Sequence, residues 1–406
     1  MRAVHPARGS WARYGNLFWE PVPAPYRHEE AIHPLHLKDI PVNAILASTQ
    51  PTGAGRDPLR GPGRTTTVVG VALTLVVLVV GLAWAKWIPY DAKARALAES
   101  GTWSGKAIFG KAGQPGDAPS WHGAVEFTRA YVTAVWKAAL VAILVASALE
   151  AFVPKRLILD AMNRRSSWAQ GVSGGLLALP SMMCTCCTAP VAIGLRRRGA
   201  PAGATMAYWL ANPLLNPAVL LFLGLTMSWQ MVSTRVAVGV LVVVGAAFIA
   251  QRRARAVDPS ELLDVDSDPR SVAQMPVRFL KALARYLVIV IPEYLLLVVL
   301  TGLFSGWLSD FAHLGDRAGL LALVIVGVVG ALLVIPTGGE IPVIAGLTAA
   351  GVGFGTAGVL LITLPALSVP SLVMVARSFG VRTTLGVTAW VITGGLVAAA
   401  VLTAIA

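Results

Sequence analysis

Charge is what this sequence has least of. Only 13% of its 406 residues are Asp, Glu, Lys or Arg, against about a quarter in a water-soluble globular chain. That scarcity argues against a cytosolic enzyme, and 56% hydrophobic residues exclude disorder over most of the length. Cysteine is scarce too: the three in the chain all fall between Cys184 and Cys187, too few and too close for a disulfide framework. No G-x-x-x-x-G-K-[ST] phosphate loop occurs, which excludes nucleotide hydrolysis by that route. Lys and Arg number 33 against 20 Asp and Glu, and the excess lies in short loops between apolar runs. That placement holds positive loops in the cytoplasm and is not a nucleic-acid face, so no nucleic-acid partner is expected. The chain reads as an all-α polytopic protein of the cell (inner) membrane, with the lipid bilayer around it.

What is present is a series of apolar runs, each near the roughly 20 residues a spanning helix needs. They lie at 68–88, 124–153, 203–229, 231–250, 276–304, 357–380 and 383–406. The expected organisation is a polar cytoplasmic tail over 1–67, an extra transmembrane helix over 68–90 and an extracytoplasmic loop over 91–123. A first repeat follows over 124–250, a cytoplasmic linker over 251–275 and a second repeat over 276–406. The tail carries eight Lys or Arg against five acids, and its first apolar run comes too late for a cleavable signal peptide. His28, Glu29, Glu30, His33 and His36 cluster there, but their spacing matches no known metal site. An unstructured or short amphipathic tail is the plainer reading.

Two further apolar stretches, 168–195 and 318–347, are interrupted, the first over Pro180 to Pro190 and the second over Pro336 to Pro342. Proline removes a backbone donor and clashes with the preceding turn, so neither interruption is expected to be continuous helix. Irregular backbone at membrane depth survives only where protein or a watery cavity surrounds it. Both breaks should line something.

The two halves echo each other. A shift of 152 residues places Pro190, Val191, Gly194, Leu195, Gly199, Gly203 and Pro213 on Pro342, Val343, Gly346, Leu347, Gly351, Gly355 and Pro365, seven identities in 24 positions. Lys155, Arg156, Arg164 and Arg165, then Arg196 to Arg198, then Arg252, Arg253 and Arg255 all favour the cytoplasm. All three clusters stay inside only if 168–195 is a re-entrant hairpin, which leaves the second repeat entering from the opposite side. The expected fold is therefore two inverted four-segment repeats with broken or re-entrant helices, plus one extra N-terminal helix. Five positive charges between Lys86 and Lys111 oppose that orientation, though long loops weigh less.

Such breaks are where secondary transporters build binding sites. The first break holds Cys184, Thr185, Cys186, Cys187 and Thr188; the second holds Gly338, Gly339 and Glu340. Thiolates select soft metals and related thiophilic species. Scattered membrane cysteines are ordinarily gap-fillers, but all three here share one Pro-bounded break. Asn212 and Asn216 each precede a proline, and two such steps within five residues should open the helix and free carbonyls near both amides. Ser368 and Ser371 stand in the counterpart span. Glu293, just after Pro292 in mid-span, and Glu340 are the candidates for coupling to a proton, an intramembrane carboxylate being costly without a role. Arg129 and Lys137 are expected to snorkel or to pair with Glu126 or Glu150. Trp84, Trp87, Trp121, Trp229 and Trp307 read as an interfacial belt.

The stretch Pro180-x3-Cys184-x-Cys186-x3-Pro190, then Leu195-x3-Gly199-x-Pro201-x-Gly203, then Asn212-Pro213-x2-Asn216-Pro217 resembles a predicted-permease family. That family includes bacterial efflux permeases for trivalent organoarsenicals, and members related to copper and zinc efflux share a similar motif. By pattern the resemblance runs from about 124 to the C-terminus. It implies a permease for a small thiophilic substrate, no cofactor, with Cys184 and Cys186 as binding residues and Asn212 and Asn216 matching the Asn-Pro pairs. Cys187 stands where the family usually has Gly, and the tail has no recognised counterpart. The third sulfur leaves an arsenical and a metal ion both open as substrate. The competing reading is a membrane thiol–disulfide enzyme, disfavoured because the second break offers no resolving cysteine; a scaffold with incidental thiols is a third. Oligomeric state is not legible.

Overall fold

The computed structural model describes residues 63–101, 103, 118–162, 166–254, 268, 271–304, 319–349 and 351–405. The histidine-rich tail, Trp307 and most of the two long loops lie outside the described residues. All regular structure among those residues is helical. Helix α1 spans Arg64–Ser100, with one π-helical turn at Ala83–Trp87, and so runs on well past residue 90. Then come α2 (Trp121–Phe152), α3 (Lys155–Met162), α4 (Ser167–Ala178), α5 (Thr185–Arg197), α6 (Ala202–Leu214), α7 (Pro217–Thr226) and α8 (Trp229–Arg253). The second half holds α9 (Met275–Leu303), α10 (Gly319–Leu332), α11 (Glu340–Ala349), α12 (Phe354–Ala366), α13 (Val369–Phe379) and α14 (Val381–Ile405). Among the described residues, six helices or joined helices are long and apolar enough to cross a bilayer, seven with α12–α13, which bends by 57°.

The offset seen in the sequence recurs in the elements. Helices α4 and α10 begin at 167 and 319, α6 and α12 at 202 and 354, α8 and α14 at 229 and 381, each pair 152 residues apart. Both halves also interrupt their third segment with a polar cap. Asn216 caps α7, its Oδ1 accepting from the amides of Ala218 and Val219. Ser368, 152 residues on, caps α13 in a reciprocal box with Ser371.

Neither α4 nor α5, nor α10 nor α11, is long enough to span by itself, since 10–14 residues cover only about 15–21 Å. The interruptions between them, 179–184 and 333–339, sit slightly earlier than their bounding prolines suggest. Pro342 falls in the first turn of α11, where its missing N–H would be unpaired in any case. Pro190 lies inside α5, so Cys186 and Cys187 belong to the first turn of that helix and only Cys184 to the irregular backbone.

Lipid provides no hydrophobic drive between helices, so close packing must supply the contact energy. Thr66, Gly70 and Thr74, four residues apart, bury one stripe of α1 that packs on α2, while Val68, Val76 and Val80 stay exposed. Helices α4 and α6 meet at Gly174, where an added methyl would collide with the Ala204 carbonyl. Gly174→Ala is expected to lower stability by about 1–3 kcal/mol, as overpacking against rigid backbone does. Gly346→Ala, whose methyl meets nothing within 4 Å, should be neutral or gain up to ~1 kcal/mol in helix propensity. Thermal unfolding of the two purified variants in one detergent checks the contrast.

Candidate thiol site

The left-handed backbone of Met182 (φ 48°) ends the short 3-10 turn Leu179–Ser181 and aims the chain into α5. Asn212 holds this loop. Its Oδ1 accepts from the Ser181 hydroxyl and from the Met183 amide at 3.2 Å, while its Nδ2 donates to the Tyr208 carbonyl at 3.1 Å. Cys184 then caps α5, its carbonyl accepting from the amides of Cys187 and Thr188, both at 3.1 Å.

The consequence is convergence of the sulfurs. Cys184 Sγ lies 3.3 Å from Cys186 Sγ and 3.0 Å from Cys187 Sγ, and all three lie within 4.8 Å of one another. The thiols are free and no more than 4% exposed. They sit at the N-terminal, partially positive end of α5, where charge on a metal-bound sulfur is favoured. Two tyrosines back Cys186: the Tyr131 hydroxyl of α2 at 3.1 Å and the Tyr294 hydroxyl of α9 at 3.3 Å, with Tyr294 donating to Tyr131 at 2.9 Å. Sulfurs from the first half thus meet a hydroxyl from the second. A cavity of about 40 Å³, room for an ion or a water or two, lies beside Cys186, Cys187, Pro190 and Tyr294.

The two halves lock near the same place. Thr185 donates to the Pro365 carbonyl at 2.5 Å, an acceptor near the end of α12. Glu340 opens α11 and pairs with Arg235 of α8 at 2.8 Å, with both side chains buried. The same guanidinium donates to the carbonyls of Pro213 and Leu214 at 2.8 and 3.1 Å. Glu293 is paired as well, with Arg377 of α13 at 2.7 Å. Asn216 is spent on its cap, and its buried Nδ2 has no acceptor among the described residues.

Of the sequence candidates, then, Cys184, Cys186 and Cys187 come together and Asn212 stands directly behind them. Glu340 faces an arginine, and Asn216 and Glu293 lie in separate networks. One expectation is corrected. Glu150 pairs with Arg285 and accepts from Tyr286 at 3.1 Å, because Lys137, 13 residues away, lies about 20 Å along the helix. Lys137 instead rests over the Trp84 ring, 5.3 Å from its centroid. Trp87, expected in the interfacial belt, donates its indole N–H to the Pro180 carbonyl at 2.9 Å. Arg235, Tyr131 and Tyr294 were missed. An arginine inside the 231–250 run was a usable signal, whereas a tyrosine in an apolar run carries none.

Six apolar membrane-length helices among the described residues, seven with the bent pair, define a multi-pass membrane protein. The chain belongs to the predicted-permease family, whose model matches residues 120–405. It is similar to the UPF0718 protein YraQ of Escherichia coli (strain K12), 36% identical over 309 residues, an alignment covering 76% of this chain and 87% of that one. No solved structure matches.

Proposed function

We propose that this permease exports a small thiophilic substrate, a trivalent organoarsenical or a soft metal ion, across the inner membrane, with Cys184, Cys186 and Cys187 as its ligands. The convergence of three buried sulfurs within 4.8 Å carries the reading, since such a set favours thiophilic species over hard ions. Asn212 fixes the loop that presents the first thiol, and Asn216 sets the start of the adjoining helix. The 152-residue periodicity and the cytoplasmic Arg clusters support two inverted halves working by alternating access. Glu340 is the leading candidate for proton coupling and Glu293 the second. Arg235 and Glu340 come from opposite halves, so protonating that carboxylate would release a contact that holds the halves together.

Everted membrane vesicles test the reading. Wild-type protein should accumulate methylarsonous acid, Cd²⁺ or both, and Cys184→Ser or Cys186→Ser should lower uptake roughly tenfold or more, the scale of losing a ligand contact. Uptake unchanged in both variants overturns it. A thiol–disulfide activity in purified protein, lost in the same variants, would support the enzyme reading instead.

A further inference from the structure

Helix α1 lies outside the region matched by the family model, which begins at residue 120, yet it touches both interrupted segments. Its π-helical turn at Ala83–Trp87 widens the helix by one residue, a device that frequently marks function. The turn places two side chains. Trp87 donates to Pro180 in the first break, and Lys86 reaches the second, its ammonium donating to Thr337 Oγ1 at 3.1 Å and to the Tyr90 hydroxyl at 2.8 Å. Lys86 is only 6% exposed.

An ammonium has three donors, and both acceptors here are neutral. No carboxylate pairs with Lys86 among the described residues. The nearby cation Lys93 rests on the Trp103 ring, 3.3 Å from its centroid, and Glu340 is held by Arg235. A buried ammonium without a counter-charge is costly, more so at membrane depth. The groups in its electrostatic range that can become anions are Tyr90, whose hydroxyl it already holds, and then Cys184 and Cys187, the two that would lose their protons to a bound metal.

We propose that Lys86 is the counter-charge of a metal-bound thiolate cluster and tunes the site toward divalent soft cations over neutral arsenicals. This rests on the thiol site being the substrate site. Charge counting gives the preference. A divalent ion binds as 3 R–SH + M²⁺ → [M(SR)₃]⁻ + 3 H⁺, the protons passing to solvent, and the single negative charge cancels Lys86. Methylarsonous acid binds as CH₃As(OH)₂ + 2 R–SH → CH₃As(SR)₂ + 2 H₂O, which is neutral and leaves Lys86 unmatched. A monovalent ion on three thiolates overshoots, at two negative charges. With Zn–S near 2.3 Å the sulfurs of a trigonal complex would be about 4 Å apart, a modest spreading from their present spacing.

Full-length protein in lipid nanodiscs provides the test, with Cd²⁺ followed by its sulfur-to-metal charge-transfer absorbance and methylarsonous acid by loss of titratable thiol. Lys86→Gln should weaken Cd²⁺ by about tenfold or more, as loss of a close opposite charge implies. It should leave the arsenical within about twofold, which also shows that the variant is folded. Lys86→Arg should keep Cd²⁺ binding. Equal weakening of both probes by Lys86→Gln, or of neither, overturns the proposal. Cys184→Ser separates the two levels: if it binds both probes as the wild type does, the thiol site itself is wrong, whatever Lys86 does.

Discussion

Arg235→Met should destabilise this protein by roughly 3–5 kcal/mol, the range found when one member of a buried ion pair is removed and its partner keeps its charge. The side chain is fully buried and serves three acceptors at once: Glu340 Oε1 at 2.8 Å, and the carbonyls of Pro213 and Leu214. Those carbonyls close α6, whose ladder stops at Leu215, so they have no amide ahead of them. Methionine leaves all three stranded at membrane depth. Arg235→Lys keeps the charge but not the planar fork, and should fall between. Arg235→Met combined with Glu340→Met removes the lone charge and should recover more than half of the loss, the two carbonyls accounting for the rest. Thermal unfolding in detergent across this double-mutant cycle measures the coupling. A single variant as stable as the wild type, or a double no better than the single, would falsify the assignment of Arg235 as the pin between the halves.

How much of this was legible beforehand depends on sequence separation. The opening between α6 and α7 was readable from Asn212-Pro-Leu-Leu-Asn216-Pro, because a proline restricts the residue before it locally. Helix still continues through Pro213 and yields only at Leu215, so the two amides do not share one helical face. The thiol cluster was readable because three soft ligands within four residues need only one turn to meet. The Arg235–Glu340 pair was not, since its members stand 105 residues apart and nothing local marks an arginine's partner. The extra helix was expected to end at residue 90, with Lys86 counted among the positive charges that run on to Lys111. The helix nevertheless continues to Ser100, supported by the Asp91–Arg95 pair and by Tyr90 packed edge-on against Phe222 of α7. Tertiary contact overrode composition there and extended the helix beyond its expected end.

Asn212→Leu should be the second large loss, and the one felt directly at the sulfurs. Leucine matches the amide in size but accepts nothing. The Met183 amide loses its acceptor and the Ser181 hydroxyl loses one of its partners, keeping the Ala178 carbonyl. The Tyr208 carbonyl loses the side-chain donor it now receives. An unmade buried hydrogen bond costs about 1–3 kcal/mol, and the loop it would free contains Met182, already in a left-handed conformation unfavourable by ~1–2 kcal/mol for a residue with a side chain. Losing its anchor should let that loop relax and uncover Cys184. Alkylation of the three thiols by a membrane-permeant maleimide should therefore speed up roughly tenfold or more, as an opening made easier by about 1.4 kcal/mol gives. Asn216→Leu is the control, because it removes a helix cap worth about 0.5–2 kcal/mol without touching the thiol loop. It should lower the unfolding temperature while leaving alkylation slow. Equal alkylation rates in the two variants would show that the thiols are shielded by the bundle as a whole and not by the loop that Asn212 holds.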